Sequence, residues 1–213
     1  MSSRDPAASA LEVRRLGRTR YEDAHRLQQD LVAARADGLR SDILLVAEHD
    51  DVVTLGRKSL PGDAAGVEMP VVSVERGGEA TWHGPGQAVL YPIVLLPEGR
   101  RDLHAWLRGL EQVVIDAMAD FGVQGSRVEG YTGVWIGERK ACSIGVAVRR
   151  WTTWHGLALN VDADLSRFSG FNPCGLDPRL MANLADHAAC SLSAVEDRLV
   201  ARFVEFHRDW VGC

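Results

Sequence analysis

Apolar residues recur at the i, i+3, i+4, i+7 spacing of an amphipathic helix in three segments of the chain. Residues 21–36 form the first segment, and Gly38 follows it as a helix stop. The second is the most regular: Asp102 is placed to cap a helix that continues to Phe121. The third covers residues 193–210. The pattern therefore predicts three helices.

Between these helices, short runs rich in β-branched and aromatic residues are separated by Gly, Pro and Asp turn signals. The runs predict seven strands, of which the last three form an antiparallel meander: 43–49, 52–56, 71–76, 88–96, 133–137, 140–148 and 151–161. The strands occur in blocks and do not alternate with helices. We therefore predict an α/β (α+β) fold with a mixed, mostly antiparallel sheet flanked by helices. An even apolar content predicts residues 1–213 as one domain.

Charge and hydropathy exclude several classes of partner. The 213 residues carry a net charge of −5, and no run of Lys or Arg is long enough to follow a phosphate backbone, so we expect no nucleic acid partner. No stretch has the roughly 18 apolar residues of a membrane span, and the first residues lack a signal-peptide core. We expect no membrane association and a cytoplasmic location.

Four cysteines, at positions 142, 174, 190 and 213, form no C-x-x-C pair, which argues against a structural zinc site and a disulfide framework. Cys174 has unusual neighbours, because Pro173 fixes φ and Gly175 has no Cβ. Such a turn presents a sulfur atom with a backbone amide beside it. The local sequence leaves three interpretations open, namely a nucleophile, a metal ligand or a small hydrophobic residue.

Residues 76–93 crowd four glycines around polar side chains. The segment matches neither G-x-G-x-x-G after a strand nor a P-loop, so a dinucleotide or triphosphate cradle is not supported. Glycines among polar residues indicate a backbone that approaches a ligand. The alternative is a structural turn in which His83 is a satisfied loop histidine.

Four motifs occur in order over residues 76–175: R-G-G-x-x-T-x-H-G-P-G-Q-x-x-x-Y-P, K-A-C-S-I-G, H-G-L-A-L-N-V and P-C-G. Together they resemble the octanoyl-[acyl-carrier-protein]:protein N-octanoyltransferases, also called lipoate-protein ligase B. The resemblance implies the fold of biotin and lipoate protein ligases and a monomeric enzyme without metal or cofactor. It also implies octanoyl-acyl carrier protein as donor. The acceptors would be lipoyl domains of 2-oxo-acid dehydrogenase complexes and the glycine cleavage H protein.

The same resemblance implies Cys174 and Lys140 as catalytic residues. A free thiol has a pKa of about 8.5 and needs a base or a cation to become a thiolate, and an amine can supply either. Strand alternation places Cys142 on the same face as Lys140, where we interpret it as packing. The substrate-contacting residues implied by the resemblance are Arg76, Gly77, Gly78, Glu79, Ala80, Thr81, Trp82, His83, Ser143, Ile144, Gly145, Gly156, Leu157 and Ala158. Glycines 77, 78, 145 and 156 would leave an apolar slot free of side chains.

Three other functions are compatible with parts of this pattern. An ATP-dependent lipoate-protein ligase has the same fold but needs no nucleophilic cysteine. A cysteine-dependent acyl thioesterase or amidase would pair Cys174 with His83 or His155, whose roles stay open. A binding module that has lost its active site would not need both Cys174 and Lys140.

Overall fold

The structure is a computed structural model that describes residues 11–60, 62–169, 171 and 177–212. All three predicted helices are present: α1 (Tyr21–Ala36), α2 (Leu103–Ala119) and α3 (Leu192–Val211). Asp102 caps α2 as predicted, since its carboxylate accepts hydrogen bonds from two backbone N–H groups at 2.9 and 3.0 Å. The cap of α3 is Ser191, two residues before the predicted start.

Six strands of the described residues form the larger sheet, and three form a smaller one. The larger sheet has the order β1-β2-β6-β9-β8-β7, with β1 parallel to β2 and every other neighbour antiparallel. Its strands are β1 (Leu11–Thr19), β2 (Asp42–His49), β6 (Gln87–Ile93), β7 (Gly133–Ile136), β8 (Arg139–Arg149) and β9 (Thr152–Asn160). The smaller sheet, in the order β4-β3-β5, contains β3 (Val52–Leu55), β4 (Val71–Ser73) and β5 (Ala80–His83).

The larger sheet is covered by helices on both faces. Along β6, Ala88 and Leu90 pack into one apolar core with α2 and α3, whereas Val89 and Tyr91 pack into a second core with α1. This alternation follows from the two-residue period of a strand. The predicted mixed, mostly antiparallel sheet flanked by helices is confirmed, as is the β7-β8-β9 meander.

Two strands were not predicted. The strand β1 carries three arginines among nine residues and is mostly exposed, so it lacks the apolar alternation of a half-buried strand. The strand β5 lies inside the glycine-rich segment, where we predicted no strand between residues 76 and 88. Over the described ranges, no helix has both the length and the apolar character needed to cross a bilayer.

Candidate active site

A cavity of about 320 Å³ lies between α1, the glycine-rich segment and strands β8 and β9. Lys140 lines it, as do twelve of the fourteen residues predicted to contact substrate: Arg76, Gly77, Gly78, Glu79, Thr81, His83, Ser143, Ile144, Gly145, Gly156, Leu157 and Ala158. These residues come from three separate motifs of the sequence. The fold therefore brings the three motifs together around one cavity.

The remaining two predicted residues, Ala80 and Trp82, do not line the cavity. Both are buried in a third apolar cluster on the far side of β5. The Trp82 indole packs edge-on against Phe168 and donates a hydrogen bond to Asp51 Oδ1 at 3.0 Å. Alternation along the strand explains the division, because Thr81 and His83 point to the opposite side.

Two buried tyrosines that the sequence analysis did not select, Tyr21 and Tyr91, also line the cavity, as does the exposed Tyr131. Tyr91 belongs to the Y-P end of the first motif, so a signal for it was present. Tyr21 begins α1, and its position in the sequence gives no such signal. Both rings are almost completely buried.

The two buried tyrosines and two histidines form a buried polar network at the cavity wall. The His83 ring stacks on Tyr21 with centroids 5.8 Å apart, and its Nδ1 lies 3.3 Å from Gln87 Oε1. His49 Nε2 lies 2.7 Å from the Tyr91 hydroxyl. Burial lowers the pKa of His83 to about 3 and also lowers the pKa of His49. Both rings are therefore neutral near pH 7 and serve as hydrogen-bonding partners.

Arg76 lines the cavity, yet its guanidinium group also fastens the glycine-rich segment to the smaller sheet. Its Nη2 donates to the Thr54 carbonyl and hydroxyl oxygens, both at 2.8 Å, and its Nη1 donates to the Glu79 carbonyl at 2.8 Å. The bond with Glu79 closes a turn around Gly78, which has a φ of +83°. Arg76 thus holds in place the backbone of the glycine-rich segment that forms part of the cavity wall.

The four glycines of the expected slot have two different roles. A Cβ at Gly77 or Gly78 would meet no atom closer than 3.6 Å, so these two leave open space. A Cβ at Gly145 would lie 3.1 Å from Arg76 Cδ, and one at Gly156 would collide with the Leu90 carbonyl oxygen at 2.1 Å. Gly145 and Gly156, which pair across β8 and β9, therefore make room for neighbouring protein atoms and not for a ligand.

Lys140 is 4% exposed, and its Nζ lies 5.3 Å from the centroid of the Trp135 ring. Gly133, with a φ of +136°, makes room for the lysine stem, because a Cβ there would lie 2.8 Å from Lys140 Cε. The Gly133 N–H is held at 3.1 Å by Oε1 of the buried Glu111. The β7–β8 hairpin thus sets the position of the amine.

Cys142 does not share the cavity face with Lys140, contrary to the alternation argument. The register between β7 and β8 shifts so that Ala141 is an extra residue, and such a bulge interrupts the two-residue period. Cys142 is completely buried in the core under α2 and α3, as packing requires. Burial raises the pKa of its thiol to about 12, which leaves it protonated and unreactive.

Cys174, the predicted nucleophile, lies outside the described residues, as does the Gly175 amide beside it. The chain that follows is anchored at Lys140: Met181 forms a parallel bridge with Lys140, and the Ala182 N–H donates to the Lys140 carbonyl at 3.0 Å. The residues after the P-C-G motif therefore return to the strand that carries the amine.

The chain was compared with known proteins. The family model described as the lipoyl protein ligase A/B catalytic domain matches residues 20–204. An octanoyltransferase of Solibacter usitatus is 43% identical over 200 residues, covering 90% of each chain. An octanoyltransferase of Gloeobacter violaceus is 51% identical over 161 residues, or 73% of this chain and 72% of the relative. The chain belongs to the lipoate-protein ligase B family. Membership of this family makes it an acyltransferase.

Solved structures with the same fold include lipoate protein ligases. The putative lipoate protein ligase of Thermoplasma acidophilum with bound lipoic acid superposes with a TM-score of 0.69. The superposition covers 84% of this chain and 80% of the ligase, at 18% sequence identity. At that identity the comparison confirms the biotin and lipoate protein ligase fold predicted for this member of the lipoate-protein ligase B family.

Proposed function

We propose that this acyltransferase moves an octanoyl group from octanoyl-acyl carrier protein to the lysine of a lipoyl domain, through a thioester on Cys174. The cavity that unites Lys140 with the family motifs carries this proposal. The octanoyltransferase relatives and the return of the chain to Lys140 after the P-C-G motif support it.

In the first half-reaction, the Cys174 thiol gives its proton to the Lys140 amine, and the thiolate attacks the carbonyl carbon of the donor thioester. The bond from that carbon to the phosphopantetheine sulfur breaks. The Lys140 ammonium then returns its proton to the departing sulfur. One thioester replaces another, so the step needs no ATP.

In the second half-reaction, the amine of the acceptor lysine attacks the Cys174 thioester. Lys140 accepts the surplus proton of the attacking nitrogen, and the carbon–sulfur bond breaks to give an amide. The Cys174 sulfur recovers its proton from the Lys140 ammonium. Amide formation from a thioester runs downhill and makes the transfer irreversible.

Recognition of the acyl chain relies on burial of its methylenes. At about 0.8 kcal/mol for each methylene, an octanoyl chain gains on the order of 5 kcal/mol before ordering costs, which favours it over short acyl groups. The apolar part of the cavity wall includes Ile144, Val146 and Leu157. The cavity volume of about 320 Å³ is at the small end of the range for ligand-binding sites.

The test is intact-mass spectrometry of the full chain mixed with octanoyl-acyl carrier protein in the absence of ATP. We expect a gain of one octanoyl group, located on Cys174 by peptide mapping, and its discharge when a lipoyl domain is added. The Cys174→Ala variant should gain nothing. The Cys190→Ala variant, changed at a half-buried cysteine outside the cavity, should be acylated as the wild type is.

Three outcomes would contradict the proposal, and two of them point to the alternatives. A requirement for ATP and a free acid would identify a lipoate-protein ligase. Hydrolysis of the thioester with no acceptor requirement would identify a thioesterase. An adduct that persists in the Cys174→Ala variant would remove Cys174 from the reaction. The monomeric state and the cytoplasmic location also stay predictions, and light scattering of the purified chain tests the first.

A further inference from the structure

Three side chains from distant parts of the sequence meet beside the cavity: His25 of α1, Glu75 after β4 and His155 of β9. Glu75 Oε2 lies 2.9 Å from His25 Nε2 and 3.6 Å from His155 Nε2, and each residue offers a ligand atom within 4.8 Å of the others. Ligand atoms about 2.0–2.1 Å from a tetrahedral metal ion lie roughly 3.3 Å apart. The spacing of the cluster therefore suits one small ion.

The His155 ring has unsatisfied hydrogen-bonding groups within the described part of the protein. The ring is 2% exposed, and neither Nδ1 nor Nε2 has a hydrogen-bond partner there. The residue also has a φ of +55° in the middle of β9. The His155 N–H donates a hydrogen bond to Oε1 of Gln28 in α1 at 3.0 Å, which stabilises this conformation. A buried polar ring held in a strained conformation is expected to have a ligand.

The surroundings suit a metal ligand set. The Trp154 ring stacks on His155 with centroids 4.3 Å apart and shields it from water. Gln29 Nε2 lies 3.5 Å from Glu75 Oε1 and orients the carboxylate. The Glu75 side chain is 39% exposed, which leaves a path for an ion to enter.

We propose that His25, Glu75 and His155 form a binding site for one divalent transition-metal ion of the Zn²⁺ type, with a fourth position for water. Two imidazoles and one carboxylate are a ligand set that such ions prefer. The site uses no cysteine, so the missing C-x-x-C pair that argued against zinc in the sequence does not bear on it. None of the acyl-transfer steps proposed above involves these three residues.

An occupied site would strengthen one wall of the cavity. The ion would join α1 to β9 and to the residue before Arg76, three elements that contribute cavity-lining residues. Its effect would be on stability, because a ligand that binds the folded chain shifts unfolding by mass action.

The test titrates Co²⁺, and in parallel Zn²⁺, into the chelator-stripped full chain under reducing conditions without substrate. We expect one ion for each chain and visible Co²⁺ absorption with no thiolate charge-transfer band. At a hundredfold excess over Kd, Tm should rise by about 5 °C or more. The variants His25→Ala and Glu75→Gln, changed at partly exposed side chains, should bind at least tenfold more weakly. The variant His104→Ala, changed at an exposed histidine outside the cluster, should bind as the wild type does.

Any of three results would overturn the inference: no saturable binding, a thiolate charge-transfer band, or equal affinity in the Glu75→Gln variant and the wild type. The first of these would leave the cluster as a histidine pair that shares one carboxylate. Because no acyl transfer is measured, failure here does not touch the octanoyltransferase proposal.

Discussion

The chain has two lysines, and both line the cavity, but they differ in their contact with water. Lys58 is exposed, whereas Lys140 is 4% exposed and lies over the Trp135 ring. Burying a polar amino group costs free energy that a packing role would not require, since an apolar side chain would fill the same space. Lys140 therefore lines the cavity although its burial costs free energy, and this is typical of a residue retained for function.

We predict that Lys140→Met lowers the rate of Cys174 acylation about 100-fold or more, because the proton relay is lost while the stem is retained. The Tm should stay equal to or above that of the wild type, since a buried polar group is replaced by an apolar one. Stopped-flow measurement with octanoyl-acyl carrier protein at saturation tests this. The Lys58→Met variant can change donor affinity but should keep the saturated rate. Equal rates in Lys140→Met and the wild type would exclude Lys140 as the base.

The buried neutral histidines in and beside the cavity wall predict a pH dependence of stability. Since burial lowers the pKa of His49, of His83 and of His155, the unfolded chain takes up protons near pH 6.5 while the folded chain does not. The free energy of unfolding should therefore fall as the pH falls below about 6.5, by up to about 1.4 kcal/mol per pH unit for each histidine.

Urea denaturation at pH 7.5, 6.0 and 5.0, with EDTA present, measures this slope. The His49→Gln variant should show a smaller slope between pH 6.5 and 5 than the wild type, because one of the three groups no longer titrates. The His104→Gln variant, changed at an exposed position, should keep the wild-type slope. A slope unaffected by His49→Gln would mean that His49 is accessible to protons in the folded chain.

At the scale of elements, the β7–β8 hairpin positions the amine. Glu111 of α2 is almost completely buried, and its second carboxylate oxygen is held by Arg108 and Arg127 at 2.7 and 2.9 Å. The other oxygen fixes the Gly133 N–H, and the bulge at Ala141 separates Lys140 from Cys142. The Glu111 carboxylate thus connects α2 to the β7–β8 hairpin, and the hairpin sets the position of Lys140.

We predict that Gly133→Ala reduces acyl transfer at least tenfold, because the new Cβ would lie 2.4 Å from the Cys142 carbonyl oxygen and 2.8 Å from Lys140 Cε. A displacement of about 1 Å at a reacting group can cost 100-fold in rate. The matched control is Gly137→Ala in the same hairpin, where φ is +58° and no atom lies within 4 Å. It should lose about 1–2 kcal/mol of stability from backbone strain and keep its kcat. A similar loss of kcat in both variants would show that strain, and not collision with the lysine, is the cause.

For the whole molecule, the elements with strong periodicity could be predicted and the locally irregular ones could not. The helices α1 and α2 and the meander follow from apolar spacing, which packing on the sheet preserves. The charged strand β1 depends on pairing with β2, and the bulge in β8 depends on its neighbour, so a single sequence contains neither signal. The motifs indicated the cavity residues, but Tyr21 and the division of roles among the glycines required the tertiary structure.

Asp42, at the start of β2, connects the two sides of the larger sheet. Its Oδ1 accepts a hydrogen bond from Arg35 Nε of α1 at 2.6 Å, and its Oδ2 lies 2.8 Å from His207 Nε2 of α3. All three side chains are buried. The helices on opposite faces therefore share one carboxylate, which favours unfolding of residues 1–213 as a single unit, as one domain requires.

We predict that Asp42→Asn lowers the stability by about 3–5 kcal/mol, because the buried Arg35 loses its countercharge. That loss corresponds to a decrease in Tm of roughly 6–20 °C for a chain of this size. Calorimetry should show one transition in wild type and variant, with equal calorimetric and van't Hoff enthalpies. The control Asp50→Asn, which removes the exposed pair with Arg18 at 2.8 Å, should cost at most about 1 kcal/mol. Two transitions, with only one of them shifted by Asp42→Asn, would mean that the helices on the two faces belong to separately folding units.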